Sequence, residues 1–367
     1  MKKNIAILCA ALTSAIVCGC GNNNQFTING TVDDSALDGE KVYLHNLNPY
    51  QNQPVDSCVV TNGRYTLTGS VEEPWFGVVE GAKTSLTVPL VVEPGTIVIS
   101  NDSIGGTPMN ERLQEYNKSV DVSDLYDEME QYMAVYYTAT DARERAEAER
   151  ILDSLDAVGT GLVLDASWTL YRENHDNVLA LYAMQSIIGM GEFTFAEFDS
   201  IVKAASPMVA NHPSVQQKLE QLRCIDATSA GKHYTDIQGL DGKLSDLIDG
   251  KLALVDFYAS WCGPCRNEIR DNLVPLWKKY QKKGLVIVGL NVWERGDAAA
   301  RKAAHEKVMA DLGITYPQLV DSTRTATDTY GVNGIPQIML IGPDGTILAR
   351  DLRGAAIEEA VVKALGK

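Results

Sequence analysis

Short runs of alternating apolar and polar residues make up the first part of the chain. Turn signals separate the runs, among them Asn62-Gly63 and Pro94-Gly95. Alternation with a period of two predicts β-strands, and strands at this spacing predict a small β-sandwich or barrel. The predicted strands span residues 26–32, 41–44, 55–60, 65–69, 76–79, 86–92 and 97–100.

Apolar residues recur every three or four positions from Asn110 to about Cys224, and this period predicts helices. We predict Asn177 as an N-cap. A stripe of tyrosine and methionine side chains over 125–136 indicates a face packed in a core, with a dimer or client surface as the alternative. The predicted helical segments are 113–120, 125–136, 141–162, 178–188, 195–198 and 215–222.

A continuous apolar run over 252–259 comes directly before the residues Trp261-Cys262-Gly263-Pro264-Cys265. Such a run is typical of a strand that is buried on both faces, as in a parallel sheet. We expect a helix to follow, with Cys262 at its N-terminus, where unpaired N–H groups and the helix dipole favour a negative sulfur. Two cysteines three positions apart at a helix start lie about 5 to 6 Å from each other, within disulfide range.

A disulfide between Cys262 and Cys265 closes a very short loop, so it stabilises the fold by only about 2 kcal/mol. A bond that constrains so little is better suited to open and close, with the first thiolate attacking and the second resolving the mixed disulfide. The alternative is half of a structural zinc site. Because no second Cys-x-x-Cys or His pair follows, we expect no metal, and no cofactor besides the redox-active disulfide.

Residues 232–367 resemble a thioredoxin-like domain of the TlpA/ResA type, whose members exchange thiols and disulfides in the cell envelope. Asp256 stands where thioredoxin has a buried carboxylate, and Ile335-Pro336 resembles the cis-proline turn that faces the disulfide. Glu268 matches a carboxylate that these proteins often carry near the cysteines. The insert of this subfamily is matched by a strand over 286–291, a helix over 297–312 and a short strand near Tyr316.

The resemblance implies that Cys262, Cys265, Asp256 and Glu268 form the catalytic site. Burial raises the pKa of a carboxylate, so Asp256 can act as base for the resolving thiol near neutral pH. The alternative is an aspartate that only forms hydrogen bonds at a strand end. Pro336 leaves the neighbouring backbone free to pair with a substrate strand, whereas Trp261 either packs over the site or contacts the substrate. The substrate-binding residues that we expect are Trp261, Gly263, Pro264, Ile335 and Pro336.

The chain begins with Met1-Lys2-Lys3 and an apolar run over 5–17, which has the length of a signal peptide and is too short to span a bilayer. The run ends at Cys18-Gly19-Cys20, which resembles a lipobox with Cys20 as the acylated residue. Cys18 is the competing site, and an ordinary signal peptide is the alternative. A polar tether without an acidic cluster follows. We therefore predict a lipid-anchored protein that faces the periplasm.

Cys58 and Cys224 are the remaining cysteines, and each is alone in its segment. A lone cysteine usually packs in a core as a small hydrophobic residue. We therefore expect two free thiols in preference to a structural bridge between them.

A length of 367 residues suits about two to three domains. We predict a signal peptide over 1–19, a lipidated tether over 20–25, a β-module over 26–105, a helical region over 106–228 and a thioredoxin-like α/β domain over 229–367. The β-module resembles a module of unknown function that often precedes thioredoxin-like domains in envelope lipoproteins. A formal net charge of −16 argues against nucleic acid as a partner, because nucleic acid requires a basic surface.

These features predict an acylated envelope thiol-disulfide oxidoreductase that reduces disulfides of exported proteins. A reductant outside the cytosol needs a supply of electrons, so we expect a membrane electron donor as a second partner. The alternative is a client-binding lipoprotein, in which the β and helical modules capture the client and the thioredoxin-like part is a scaffold. The presence of both Cys262 and Cys265 favours the enzyme.

Overall fold

A computed structural model of the chain describes residues 24–32, 37–47, 53–82, 86–100 and 103–366. It comprises two compact units, and the chain passes from one to the other between Met190 and Gly191. The predicted helical region is thus divided between the units. The domain boundaries proposed from the sequence stay predictions. The signal peptide and residues 20–23 of the tether, including Cys20, lie outside the described residues, whereas Gln25, the predicted end of the tether, is the first residue of a strand.

Two four-stranded sheets form the first part of the N-terminal unit, in the orders β4-β1-β7-β8 and β3-β2-β5-β6. Fully buried residues from both sheets, such as Ile28, Leu44 and Leu90, share one core. Asn62 and Gly63 both have positive φ, as a two-residue hairpin turn requires. The strands are β1 (Gln25–Thr31), β2 (Lys41–Asn46), β3 (Pro54–Val59), β4 (Arg64–Ser70), β5 (Trp75–Gly81), β6 (Thr87–Val92), β7 (Gly95–Ser100) and β8 (Ser103–Gly105).

In the described part of this unit, the sheets are followed by the helices α1 (Pro108–Ser119), α2 (Ser123–Thr138), α3 (Ala142–Glu173) and α4 (Val178–Met190). Asp141 caps α3 by accepting hydrogen bonds from two backbone N–H groups of its first turn. The expected packed stripe on α2 is only half-buried, and α2 contributes no buried residue. The physical reason is that α2 packs chiefly against α3, so its other faces meet solvent. Tyr126 and Tyr137 are 65% and 74% exposed.

The C-terminal unit begins with helices and continues as an α/β domain around a five-stranded sheet of order β13-β12-β11-β14-β15. β11, β12 and β13 are parallel, and β14 and β15 are antiparallel to their neighbours. The helices are α5 (Phe195–Ala204), α6 (Pro207–Ala210), α7 (Pro213–Ala227), α8 (Leu244–Ile248), α9 (Gly263–Glu268), α10 (Val274–Tyr280), α11 (Ala298–Leu312), α12 (Thr325–Thr329) and α13 (Ala355–Leu365), with a π-helical turn over Ile269–Leu273 and a 3-10 turn over Gln281–Lys283. The strands are β9 (Gln238–Gly239), β10 (Gly242–Lys243), β11 (Leu252–Tyr258), β12 (Leu285–Asn291), β13 (Gln318–Val320), β14 (Gln337–Ile341) and β15 (Ile347–Ala349).

Helix α7 is tied to this domain by polar contacts. Arg350 donates to the backbone carbonyls of Thr228, at 3.0 Å, and of Tyr330, at 2.9 Å. Gln221 donates to the carbonyl of Gly331 at 3.3 Å. Gly331 has φ of +63°, and a Cβ there would lie 2.6 Å from the Gln221 carbonyl oxygen, so only glycine fits this close approach.

The central strand β11 is buried along its whole length, as its apolar sequence predicts. Successive side chains of a strand point to opposite faces. Leu254 and Tyr258 belong to the core cluster that contains both active-site cysteines, and Val255 and Phe257 belong to the cluster on the other face. Asp256 therefore lies on the face of the sheet that carries the cysteines.

Candidate active site

Cys262 and Cys265 form a disulfide at the start of α9, just beyond the carboxyl end of β11. Their Cα atoms are 5.3 Å apart, which confirms the separation expected from the sequence. Cys262 is the N-cap residue, and its Sγ accepts a hydrogen bond from the backbone N–H of Cys265 at 3.2 Å. The helix continues through the π-helical turn into α10, so its N-terminal N–H groups face the sulfur of Cys262.

The two sulfurs differ in their access to solvent. Cys265 is fully buried, whereas Cys262 keeps 5% of its surface exposed, and Gly263 and Pro264 between them are exposed. Because a substrate sulfur must reach the attacking thiolate, this difference fits the prediction that Cys262 attacks and Cys265 resolves.

The Ile335–Pro336 peptide bond is cis, as the resemblance implied. The carbonyl oxygen of Ile335 lies 3.8 Å from the Cys262 Sγ. The turn before β14 thus faces the disulfide, and it brings the predicted substrate-binding residues Ile335 and Pro336 beside the Cys262 sulfur. Their contact with a substrate backbone stays a prediction.

Asp256 is fully buried, and neither of its carboxylate oxygens has a hydrogen-bond partner within the described part of the chain. Burial raises the pKa of this carboxyl to about 8, and the negative charge of Glu268 adds to the effect. The positive charge of Arg353 acts in the opposite direction. Asp256 therefore does not fit the alternative of an aspartate held by hydrogen bonds at a strand end. Its burial and raised pKa fit a carboxyl that carries a proton near neutral pH.

Glu268 is half-buried at the end of α9. Its Oε1 accepts a hydrogen bond from the Asn272 side chain at 2.7 Å and from the backbone N–H of Gly354 at 3.0 Å. These two donors fix the carboxylate in place, and its charge raises the pKa of Asp256. Its part in the reaction stays a prediction.

Arg353 is a site residue that the sequence did not reveal. Its guanidinium donates to the carbonyl oxygen of Pro336, and the N–H of the following residue, Gly354, binds Glu268. This turn therefore holds both the cis-proline segment and a carboxylate of the site. Only the return of the chain after β15 creates these contacts, so no local pattern predicts them.

Residues 293–295 form a second segment that the sequence did not reveal. The indole N–H of Trp261 donates to the carbonyl of Trp293 at 2.9 Å, and the Arg295 guanidinium lies 4.3 Å from the centre of the Trp261 ring. Trp261 is nevertheless 43% exposed, so it packs on this segment and also presents a face to solvent. The position directly after β12 was the available signal, since the carboxyl ends of parallel strands meet at one edge.

Glu294 fixes the backbone that leads to the cysteines. Its carboxylate accepts hydrogen bonds from the backbone N–H and the hydroxyl of Ser260, at 2.6 and 2.7 Å, and from the side-chain amide of Asn291 at 2.8 Å. Ser260 lies two positions before Cys262, so this carboxylate orients the active-site loop.

Cys58 and Cys224 are free thiols, as predicted, but each is only half-buried instead of packed in a core. Within the described ranges, no group of three or more His, Cys, Asp or Glu side chains is arranged to bind a metal ion. Among the same residues, no helix has both the length and the apolar character needed to cross a bilayer.

Comparison with protein families matches residues 227–350 to the AhpC/TSA family and residues 26–113 to a domain of unknown function, DUF4369. The thiol:disulfide interchange protein HelX of Rhodobacter capsulatus is 30% identical over 186 residues, which cover 50% of this chain and 90% of HelX. The thiol-disulfide oxidoreductase ResA of Bacillus subtilis is 32% identical over 113 residues, which cover 31% of this chain and 59% of ResA.

Among solved structures, the thioredoxin domain of a thiol-disulfide oxidoreductase from Bacteroides vulgatus is 29% identical, with a TM-score of 0.32. The match covers 37% of this chain and 96% of that domain. This TM-score is too low for the structural similarity to support the family of the chain, which is supported by the sequence relatives and by the site itself.

Proposed function

Because the chain belongs to the AhpC/TSA family of thioredoxin-like thiol-disulfide oxidoreductases, we propose that it reduces disulfides of exported proteins in the cell envelope. The observation that carries the proposal is the buried, unpartnered Asp256 on the sheet face that also carries the Cys262–Cys265 pair. A carboxyl with a pKa of about 8 can take a proton from a thiol and return it at neutral pH.

The reaction starts from the reduced pair. The Cys262 thiolate attacks one sulfur of the client disulfide, the client S–S bond breaks, and the second client sulfur leaves as a thiolate that takes up a proton. Asp256, in its carboxylate form, accepts the proton of the Cys265 thiol. The Cys265 thiolate then attacks the Cys262 sulfur, the mixed disulfide breaks, and the remaining client sulfur leaves as a thiolate that takes up the proton held by Asp256, which completes the client dithiol. Two electrons have passed to the client, and the enzyme holds the disulfide seen in the structure.

A further turnover needs a reductant that returns two electrons to Cys262–Cys265. Because the proposed site of action lies outside the cytosol, we assign this role to a membrane-bound dithiol donor. Lipid attachment at Cys20 would keep the enzyme beside such a donor. Mass spectrometry of the mature N-terminus tests the anchor, and a Cys20→Ser variant that fractionates with the membrane as before would contradict it.

The reduction potential separates a reductase from an oxidase. The dipeptide Gly263-Pro264 resembles that of thioredoxin, whose potential is about −270 mV, compared with about −120 mV for the oxidant DsbA. We expect a value near the thioredoxin end, measured by equilibration of the full chain with a glutathione redox buffer. The two limits differ by roughly 150 mV, or about 7 kcal/mol for two electrons. A value near −120 mV would make the protein an oxidase.

A trapping experiment identifies nucleophile and client together. In Cys265→Ser the mixed disulfide formed at Cys262 cannot be resolved, so we expect covalent client adducts on a non-reducing gel. The matched variant Cys262→Ser should form none, because Cys265 is fully buried. Adducts on Cys262→Ser alone would reverse the assigned roles.

One observation favours the second candidate, a client-binding protein with a redox-inactive scaffold. Helix α2 exposes Tyr126, Met133 and Tyr137 along one stripe, and exposed aromatic and methionine side chains suit contacts with a partner. Insulin reduction by the full chain decides between the two. A chain that binds client tightly but leaves insulin oxidised would support the binder.

A further inference from the structure

A cavity of about 900 Å³ opens in the C-terminal unit, beyond the carboxyl ends of β12 and β13 and beside α11. Its volume lies in the range of small-molecule and peptide sites, and this edge of an open α/β sheet is where ligands commonly bind. The lining that matters for recognition comprises Asn291, Trp293, Glu294, Arg301, Gln318 and Arg324.

Two of the four acidic residues in the lining, Glu294 and Asp321, already accept hydrogen bonds. Glu294 accepts three hydrogen bonds from Ser260 and Asn291. Asp321 accepts from the backbone N–H groups of Thr323 and Ala326, at the start of α12. The carboxylates that remain are solvent-exposed: Glu306 lies 3.8 Å from Lys302, and the exposed charge of Asp241 is screened by solvent.

Arg301 is the contrasting case. Its side chain is half-buried in the cavity wall, and among the described residues its guanidinium has no hydrogen bond or ion pair. The guanidinium of Arg324 lies 5.7 Å from the centre of the Trp293 ring and adds a second positive charge to the same cavity. A half-buried cation without a partner calls for an anion, and a carboxylate matches the fork of arginine donors.

Asn291 contributes an acceptor that also lacks a partner. It is 1% exposed, and its amide nitrogen donates to Glu294 at 2.8 Å. A carboxylate only accepts, so this bond fixes the orientation of the amide and leaves Oδ1 as the unpaired atom. A buried acceptor without a donor is costly, and a ligand N–H satisfies it.

The cavity wall is continuous with the active-site loop. Glu294, which lines the cavity, holds Ser260, and the carbonyl of Trp293 binds the indole of Trp261. A ligand in the cavity is therefore in contact with the segment that positions the residue before Cys262.

We propose that this cavity binds an acidic peptide segment of the substrate, with a peptide carboxylate at Arg301 and a peptide N–H at the Asn291 Oδ1. Trp293 supplies an apolar wall. This inference rests on the proposed function, because it treats the bound peptide as part of a client that the oxidoreductase reduces. The binding itself is independent of the redox reaction.

The first test measures binding to the oxidised full chain, in which no turnover occurs. The probes are a short synthetic peptide rich in glutamate and its glutamine counterpart, titrated by calorimetry. We expect the glutamate peptide to bind roughly tenfold more tightly, the scale of one charge-assisted hydrogen bond, and Arg301→Gln to abolish the difference. Lys307→Gln is the matched control, since Lys307 is exposed on the same helix and pairs with Asp311 outside the cavity. It should keep the full preference.

The second test measures kcat/KM of the reduced full chain for both peptides after an intramolecular disulfide is added to each. We expect a preference for the glutamate peptide that Arg301→Gln removes and that Lys307→Gln keeps. Equal binding of both peptides, or a preference that survives Arg301→Gln, would overturn the site. A binding preference without a rate preference would overturn the assignment to substrate and leave a site for free acidic peptides. Failure to reduce either peptide would contradict the proposed function, whereas the calorimetry would still show whether the cavity binds the acidic peptide.

Discussion

Asp256→Asn is the substitution that most directly tests the physical account of the active site. The carboxyl is fully buried without a hydrogen-bond partner, and its pKa lies near 8 instead of the ordinary 3.8. Between these values the folded protein holds a proton that the unfolded chain has lost. Unfolding therefore releases a proton, and the free energy of unfolding falls as the pH rises from about 4 to about 8.

The magnitude follows from the separation of the two pKa values. They lie roughly four pH units apart, and at 1.36 kcal/mol per unit the loss of stability approaches about 6 kcal/mol above pH 8. Water entry and local rearrangement relax part of this penalty, so the figure is an upper bound. Asparagine has the same shape and no titration, so the variant should lose this decline and gain stability over wild type as the pH rises.

The assay is urea unfolding of the oxidised full chain at a series of pH values from 4 to 9, followed by tryptophan fluorescence. The N-terminal unit is common to both proteins, so the difference between wild type and Asp256→Asn isolates the carboxyl. Asp271→Asn is the control: Asp271 is exposed and its pKa is lowered by Arg270, so it titrates below this window. Parallel profiles for wild type and Asp256→Asn, or a ¹³C NMR titration midpoint of the Asp256 carboxyl near pH 4, would refute the reasoning.

Three other substitutions test separate parts of the structure. Arg353→Met should raise the pKa of Asp256 further, because it removes the positive charge that lowers it, and an unchanged ¹³C titration midpoint would contradict the proposed geometry. Arg350→Met should lower the free energy of unfolding by about 2–4 kcal/mol, since two buried backbone carbonyls lose their donors; urea unfolding checks this, and a loss below about 0.5 kcal/mol would count against it. Asp141→Ala should destabilise the start of α3 by about 0.5–2 kcal/mol, seen as faster hydrogen exchange of the two capped amides, and equal rates would show that the cap is unimportant.

Local patterns in the sequence were sufficient to predict the secondary structure around the site. The apolar run over 252–259 predicted the buried strand, and the helix start after it placed Cys262 and Cys265 within bonding distance. Both conclusions depend on short-range rules of strand alternation and helix geometry, which do not require knowledge of distant residues. The turn at Asn62-Gly63 was predictable for the same reason, because positive φ is a property of those residue types.

Contacts between distant segments depended on the tertiary structure. Arg353 meets Pro336 only because β15 returns the chain to the cis-proline turn, and Glu294 meets Ser260 only because β11 and β12 end at the same edge of the sheet. The exposure of α2 could not be predicted from the sequence either, because its periodic apolar residues are the same whether its remaining faces meet a core or solvent. Periodicity identifies the face of a helix that can be buried, but the arrangement of the rest of the chain decides what covers it. The sequence alone therefore determined the disulfide chemistry, and the fold decided which charges and carbonyl groups surround it.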